Sequence, residues 1–168
     1  MRLPRLPDGS GRWVLLGLIL LPVAFVRIRS ALMSDEQHIE ARILDALEAL
    51  EGRNPRKLRR VFARDYVDEG SGYNRNDIGR YANGLMAPGE RYRGSLVEPD
   101  GLVFVDHSPE GVKPRTATVQ VKCLIEHRFK TTEFAPWWDL EFTAEMIRED
   151  GNWRIHRTSD VNHDRRPR

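Results

Sequence analysis

The chain has 168 residues, of which 40% are apolar and 31% are charged, a composition typical of one globular domain rather than of a disordered or fibrous protein. Its net charge of +2 arises in residues 1–34, which hold five Arg and one Asp, because residues 35–168 hold 22 basic and 24 acidic side chains. The folded part therefore lacks the positive field that nucleic-acid binding requires, and no nucleic-acid partner is expected.

An uncharged apolar run occupies residues 13–26, beginning with Trp13 and ending with Val26. At ~1.5 Å per residue it is short of a ~30 Å hydrocarbon core, but long Arg stems can reach the membrane interface. No small-residue cleavage site follows, so residues 1–33 are predicted to be a single-pass signal-anchor segment, with a cleaved signal peptide as the alternative. The excess of basic residues before the run places the domain on the periplasmic (extracytoplasmic) side of the inner membrane. The flanking basic residues are Arg2, Arg5, Arg12, Arg27 and Arg29.

Helical spacing of apolar residues predicts three helices after this segment. Ser34 and Gln37 form a capping-box pattern at the start of the first helix, which ends at Gly52. Asn54 and Pro55 begin the second helix, and Asn76 is predicted to cap the third. The predicted inward-facing residues are Ile39, Ile43, Ala46, Leu47 and Leu50, then Leu58, Val61 and Phe62, and finally Ile78, Tyr81 and Leu85.

From Arg91 the period of the apolar residues changes from 3.6 to 2, which predicts strands at about 91–98, 101–107, 115–127, 136–148 and 152–159. The sequence Glu-Asp-Gly-Asn at 149–152 predicts a hairpin turn, so the last two strands are expected to be antiparallel neighbours. Alternation places Trp138 in the core and Trp137 on the opposite face. The other predicted core residues of the two long strands are Ala117, Val119, Val121, Cys123, Ile125, Leu140, Phe142, Ala144 and Met146.

This order of elements resembles the NTF2-like superfamily, which includes SnoaL-like polyketide cyclases and ketosteroid isomerases. The resemblance is carried by ARILDALEALEGRNPRKLRRVFARDYVDEG near the front of the domain and by WDLEFTAEMIREDGNWRIHRTSD at its end. It implies an α+β cone over residues 34–163, with three N-terminal helices packed on a curved antiparallel sheet. Residues 164–168 are then a disordered basic tail. The superfamily contains both enzymes and binding domains, so the resemblance implies no particular activity and no cofactor.

A cone open at one end would collect polar side chains from its helices and its sheet. Tyr66 and Asp68 lie on the segment near the pocket of such folds, and Asp68 is a candidate general base. The alternative is that Asp68 and Glu69 lie at a solvated strand end and that Tyr66 belongs to the core. The predicted ligand-binding residues are Tyr66, Asp68, Tyr81, Trp137 and His127.

Three other groups of residues are assigned structural roles. His127, His156, His163 and Asp160 lack the spacing of a metal motif, so no metal is expected. Cys123 alternates with core residues, which predicts a buried thiol. The densest basic run is predicted to be a solvated helix face, with contact to anionic lipid headgroups as the alternative. This basic run consists of Arg53, Arg56, Lys57, Arg59, Arg60 and Arg64.

The function that these features favour is non-catalytic binding of a small apolar ligand or a protein partner at the extracytoplasmic face of a membrane. The exposed face of the sheet would allow a homodimer. One alternative is a small cofactor-independent enzyme of the SnoaL-like cyclase, isomerase or dehydratase kind. Another is an assembly module of an envelope complex.

Overall fold

The computed structural model describes residues 33–97, 101–107, 116–130 and 133–162. The chain divides into the units Met1–Asp35 and Glu36–Arg168, and the second unit contains the fold given below. The predicted anchor, apart from its last residue, and the predicted basic tail lie outside the described residues. Within the described part of the chain, no helix combines the length and apolar character needed to cross a membrane.

Three helices lie where the apolar spacing predicts them: α1 spans Asp35–Glu51, α2 spans Pro55–Val61 and α3 spans Arg75–Leu85. The Asn54 side chain caps α2 by accepting a hydrogen bond from Lys57 N at 2.9 Å. The prediction that Asn76 caps α3 is wrong, because Asn74 is the cap. Asn74 has an acidic residue three positions later, and Asp77 completes a capping box by accepting from Asn74 N at 3.0 Å.

The sheet has six described strands: β1 (Phe62–Asp68), β2 (Glu90–Leu96), β3 (Leu102–His107), β4 (Thr116–Phe129), β5 (Ala135–Glu149) and β6 (Asn152–Ser159). Their order is β1-β6-β5-β4-β2, and β3 also pairs with β4. Because β1 is parallel to β6, the sheet is mixed, and the prediction of an entirely antiparallel sheet is wrong. Phe62, which was expected on the second helix, is the first residue of β1.

The core lies between the helices and one face of the sheet. The predicted alternation of β4 is confirmed, since all five of its inward residues are buried. Ile39 and Ile43 of α1 are buried against this face together with Met146 of β5. The helix α1 lies close to β2 at Gly94, where an added Cβ would lie 2.7 Å from Leu47 Cδ2. The buried residues of β4 are Ala117, Val119, Val121, Cys123 and Ile125.

A β-bulge at Trp137 corrects the prediction that Trp137 and Trp138 face opposite sides of the sheet. Ile125 pairs with Trp138, but the next residue of β4, Glu126, pairs with Pro136, so Trp137 is the extra residue on β5. A bulge resets the alternation of side chains along a strand. Both indoles therefore pack against the same group of core residues, with ring centroids 5.8 Å apart in an edge-to-face arrangement.

Candidate ligand-binding cavity

A cavity of about 350 Å³ lies between the helices and the inner face of the sheet. Its walls are mainly apolar: Ile43 and Leu47 come from α1, and Val121 and Phe142 come from the two long strands. The volume is within the range of sites that bind small molecules, roughly 300–1,000 Å³. The space is therefore large enough for a small ring compound.

Polar side chains are gathered where β1 meets β6. The parallel register of these strands places Asp68 directly opposite Thr158. Thr158 Oγ1 donates to Asp68 Oδ1 at 2.7 Å, and the Tyr66 hydroxyl lies 2.7 Å from the same Thr158 oxygen. These three residues and Ser71 line the cavity, and they are called the polar end below.

Asp68 is buried, with only 3% of its surface exposed, so the expectation of a solvated strand end is wrong for this residue. Its second oxygen, Oδ2, accepts from Ser71 N at 2.8 Å and also from the Ser71 hydroxyl. Three donors therefore converge on the two carboxylate oxygens. This arrangement compensates the burial of a carboxylate, which would be very unfavourable without hydrogen bonds.

Tyr66 is also buried, with 3% of its surface exposed. Burial raises the pKa of Tyr66 to about 12, the hydrogen bond with Thr158 acts in the opposite direction, and the charge of Asp68 raises it further. At neutral pH the side chain is therefore a neutral phenol that retains its proton.

The other side of the cavity is aromatic. Trp137 and Trp138 both line it, and the Trp138 indole Nε1 donates to the carbonyl oxygen of Asn162 at 2.9 Å. Behind Trp137, the ring of Tyr92 stacks on His127 with centroids 4.9 Å apart. The Trp137 ring lies 5.3 Å from Tyr92 and 5.9 Å from His127, so these two rings support the wall.

The structure brings four of the five predicted ligand-binding residues to the cavity lining: Tyr66, Asp68, Tyr81 and Trp137. The fifth, His127, is not among the lining residues, and its Nε2 is hydrogen-bonded to Glu90. Contact of these residues with a ligand stays a prediction.

The rim of the cavity includes two tyrosines. Tyr81 is 43% exposed and Tyr73 is 46% exposed, although both line the cavity. Their rings are therefore shared between the cavity and solvent, which marks this side as the opening.

Sequence reasoning missed Ser71 and Thr158. Thr158 is 90 residues from Asp68 along the chain, and the parallel pairing that joins them leaves no local pattern. Ser71 could have been recognised from Asp68, since an Asp followed by a small polar residue and glycines is typical of a side-chain-closed turn.

Cys123 lies in the cavity wall and is 2% exposed, so the predicted buried thiol is confirmed. Burial raises the pKa of Cys123 to about 12, and the charge of Asp139 adds to the increase. The group is therefore a neutral thiol at physiological pH, without the ionised sulfur that a nucleophile needs.

The histidines and the basic run have other partners. His156 Nδ1 lies 3.2 Å from Asp65 Oδ1, and His163 is outside the described residues. Across the described ranges, no three His, Cys, Asp or Glu side chains are grouped in a way that could hold a metal ion. In the basic run, Lys57 contacts Glu48 at 2.7 Å and Arg64 contacts Asp150 at 2.8 Å. Contact of this run with lipid headgroups stays a prediction.

No family model matches the sequence, and no curated protein matches it. Solved structures do. A candidate scytalone dehydratase from Novosphingobium aromaticivorans is 16% identical, with a TM-score of 0.55, over 83% of this chain and 85% of that one. A candidate aromatic ring hydroxylase from the same organism is 14% identical, with a TM-score of 0.55, over 74% and 86%. A ketosteroid isomerase-like protein from Erwinia carotovora atroseptica is 13% identical, with a TM-score of 0.52, over 76% and 95%.

At these identities the likeness shows a common fold and leaves the chemistry open. The three helices and the mixed sheet agree with that fold. The chain therefore has the NTF2-like α+β fold of the ketosteroid isomerase-like and scytalone dehydratase-like structures.

Proposed function

We propose that this domain binds a small, largely apolar ring compound in its cavity and does not convert it chemically. The observation that carries the proposal is a cavity of about 350 Å³ with mainly apolar walls, whose buried carboxylate has three hydrogen-bond donors directed at it. Transfer of a ligand's apolar surface from water to such walls is favourable by roughly 25 cal/mol per Å².

The aromatic wall favours a flat ligand. Trp137 and Trp138 are set edge to face, so a ring entering the cavity can meet the face of one indole and the edge of the other. Aromatic pairs in such arrangements contribute about 0.5–1.5 kcal/mol beyond the area they bury. Tyr73 and Tyr81 at the exposed rim provide the side from which the ligand enters.

The hydrogen bonds of Asp68 argue against catalysis by this residue. A general base must approach the proton that it removes within hydrogen-bond distance. Both oxygens of Asp68 already accept hydrogen bonds, from Ser71 and from Thr158. Three of the about four acceptor positions of this carboxylate are therefore taken by donors that belong to the fold.

A small enzyme remains the second candidate function, because a buried carboxylate and a buried phenol face one cavity. The two functions are distinguished by incubating the protein for a prolonged time with any compound found to bind, and then analysing that compound by mass spectrometry. Unchanged compound supports binding alone. A product that disappears in the Asp68→Asn variant would replace binding with catalysis.

Binding itself is tested by titrating the full-length protein with N-phenyl-1-naphthylamine, a neutral fluorescent probe of apolar sites. Ala46 lines the cavity, so Ala46→Phe should fill part of it and weaken the probe's binding at least tenfold. Ala41 is exposed on the same helix, so Ala41→Phe is the matched control and should bind as the wild type does. Equal binding by all three proteins would contradict the proposal.

We further propose that the domain is held at the outer face of the inner membrane by residues 13–26. The support is the uncharged run itself and the basic residues on both sides of it. A phosphatase fused after Arg168 should be active, and a galactosidase fused at the same position should be the poorer reporter. The opposite result would place the domain in the cytoplasm.

A further inference from the structure

We infer that the cavity prefers a neutral ligand carrying a hydroxyl group, which donates its proton to the polar end formed by Tyr66, Asp68, Ser71 and Thr158. The inference rests on the proposed function, because it specifies the ligand of the same cavity. It follows from where the hydroxyl protons of these residues point.

Each hydroxyl group has one proton to donate and two lone pairs that accept. The Thr158 hydroxyl donates to Asp68 Oδ1 at 2.7 Å, and the Ser71 hydroxyl donates to Asp68 Oδ2. Because the Thr158 hydroxyl already donates its one proton in the hydrogen bond to Asp68, it must accept in its 2.7 Å contact with the Tyr66 hydroxyl. The Tyr66 proton is therefore directed at Thr158.

The hydroxyl protons of Ser71 and Thr158 are thus directed at Asp68, and the hydroxyl proton of Tyr66 is directed at Thr158. What the phenol oxygen of Tyr66 still offers is its lone pairs. A ligand hydroxyl placed beside Tyr66 can donate to that oxygen and extend the chain of hydrogen bonds by one member. Chains of this kind polarise one another, so each bond in them is strengthened.

Ligands without a proton to donate are disfavoured at this end. A ketone or ether oxygen beside Tyr66 would be buried without a hydrogen bond, which weakens binding about tenfold. A carboxylate would also meet the negative charge of Asp68 in a weakly screened interior. Burial raises the pKa of Tyr66, so the phenol keeps its proton at neutral pH.

The residues at the rim do not change this preference for a ligand that donates a proton. Tyr73 and Tyr81 carry hydroxyl groups, but their side chains are about half exposed, so water can satisfy them with or without a ligand. At the aromatic wall, the indole N–H of Trp138 is already donated to Asn162. Among the buried residues of the lining, the choice between a donor and an acceptor is therefore made beside Tyr66, Asp68 and Thr158.

Three matched compounds test the inference with the full-length protein: 2-naphthol, 2-methoxynaphthalene and 2-acetylnaphthalene. They share one ring system and differ in whether the substituent donates a proton. We expect 2-naphthol to bind about tenfold more tightly than either of the others, as the cost of one buried oxygen without a hydrogen bond implies. Displacement of N-phenyl-1-naphthylamine measures all three on one scale.

The Thr158→Val variant should reduce the preference for 2-naphthol. It removes the group that accepts the Tyr66 proton while keeping a side chain of similar shape, so Tyr66 becomes a donor toward the cavity. Binding of 2-acetylnaphthalene should then improve relative to 2-naphthol. Thr143 lies on β5 and is not among the lining residues, so Thr143→Val is the matched control and should keep the wild-type order. A Thr158→Val protein that folds and keeps the full preference for 2-naphthol would overturn the inference.

If Thr158→Val does not fold, Tyr66→Phe gives the same decision, because it removes the accepting oxygen and should abolish the preference for 2-naphthol. Equal binding of the three compounds to the wild type would overturn the inference and leave the proposed function intact. Failure of the probe and of all three compounds to bind would instead reject the proposed function.

Discussion

Replacement of Trp137 by alanine tests the bulge in β5, on which the aromatic wall depends. If the strand alternated regularly, Trp137 would face outward, and its removal would change the free energy of unfolding by no more than about 0.5 kcal/mol, as for other surface positions. In the bulged strand its ring lies 5.3 Å from Tyr92 and 5.8 Å from Trp138. Truncation of Trp137 should therefore remove core contacts and lower the free energy of unfolding.

The expected size follows from the burial of the ring. Truncation of a fully buried Trp to Ala lowers the free energy of unfolding by about 3–5 kcal/mol. Trp137 is half-buried and borders the cavity on one side, so we expect about half of that, roughly 2 kcal/mol. Loss of its ring pairs adds about 0.5–1.5 kcal/mol. Trp138→Ala should have a comparable effect, since it also loses the hydrogen bond to Asn162, worth about 1 kcal/mol.

Urea unfolding followed by far-ultraviolet circular dichroism is the suitable assay, because both variants remove part of the tryptophan fluorescence. Phe129 is a matched control, since this aromatic residue of β4 is 44% exposed and its truncation should have the smaller effect. Both Trp variants should also bind N-phenyl-1-naphthylamine more weakly. A loss below about 0.5 kcal/mol for Trp137→Ala, with normal probe binding, would refute the bulge and the shared wall.

Three further changes have defined outcomes. Gly94→Val should lower the free energy of unfolding by about 1–3 kcal/mol in urea, because its side chain would overlap Leu47, and an unchanged midpoint would contradict the close approach of α1 to β2. Asn74→Ala should cost about 1 kcal/mol through loss of the α3 cap, and restoration by Asn74→Asp, but not by Asn74→Leu, is the check. The raised pKa of Cys123, about 12 when folded against 9.0 as the ordinary value, favours the folded state most below pH 9. Stability should therefore fall between pH 9 and 12, by up to about 1.4 kcal/mol per pH unit, and Cys123→Ala should remove that part of the slope.

The sequence predicted the elements whose signal is local. The three helices and the strands β2 to β6 were recognisable because helical or alternating spacing is repeated within each segment. In β4 five inward residues at period two identified the buried face correctly. Two of the helices also have side-chain caps at or near the predicted positions, at Asn54 and Asn74.

The features that the sequence did not predict depend on partners distant along the chain. β1 has an irregular burial pattern and a register shift between Phe62 and Val67, so it shows no clear alternation of its own. The bulge at Trp137 is defined by the pairing of β5 with β4. Two adjacent Trp residues in the sequence do not by themselves show whether the strand contains a bulge. For the same reason the contact between Tyr66 and Thr158 was not foreseen.

The polar end joins the stability of the fold to the chemistry of the cavity through one carboxylate. Asp68 closes the turn after β1 through Ser71 and ties β1 to β6 through Thr158, next to the backbone hydrogen bond from Glu69 N to Thr158 O at 2.9 Å. The same contacts direct the hydroxyl protons of Ser71 and Thr158 to Asp68, and that of Tyr66 to Thr158. If Asp68 released Thr158 in order to take a substrate proton, the strand pair would lose a buried hydrogen bond and Tyr66 would lose the acceptor of its own proton. The arrangement that stabilises β1 on the sheet therefore favours a ligand that donates one more proton to the chain over a substrate that must break it.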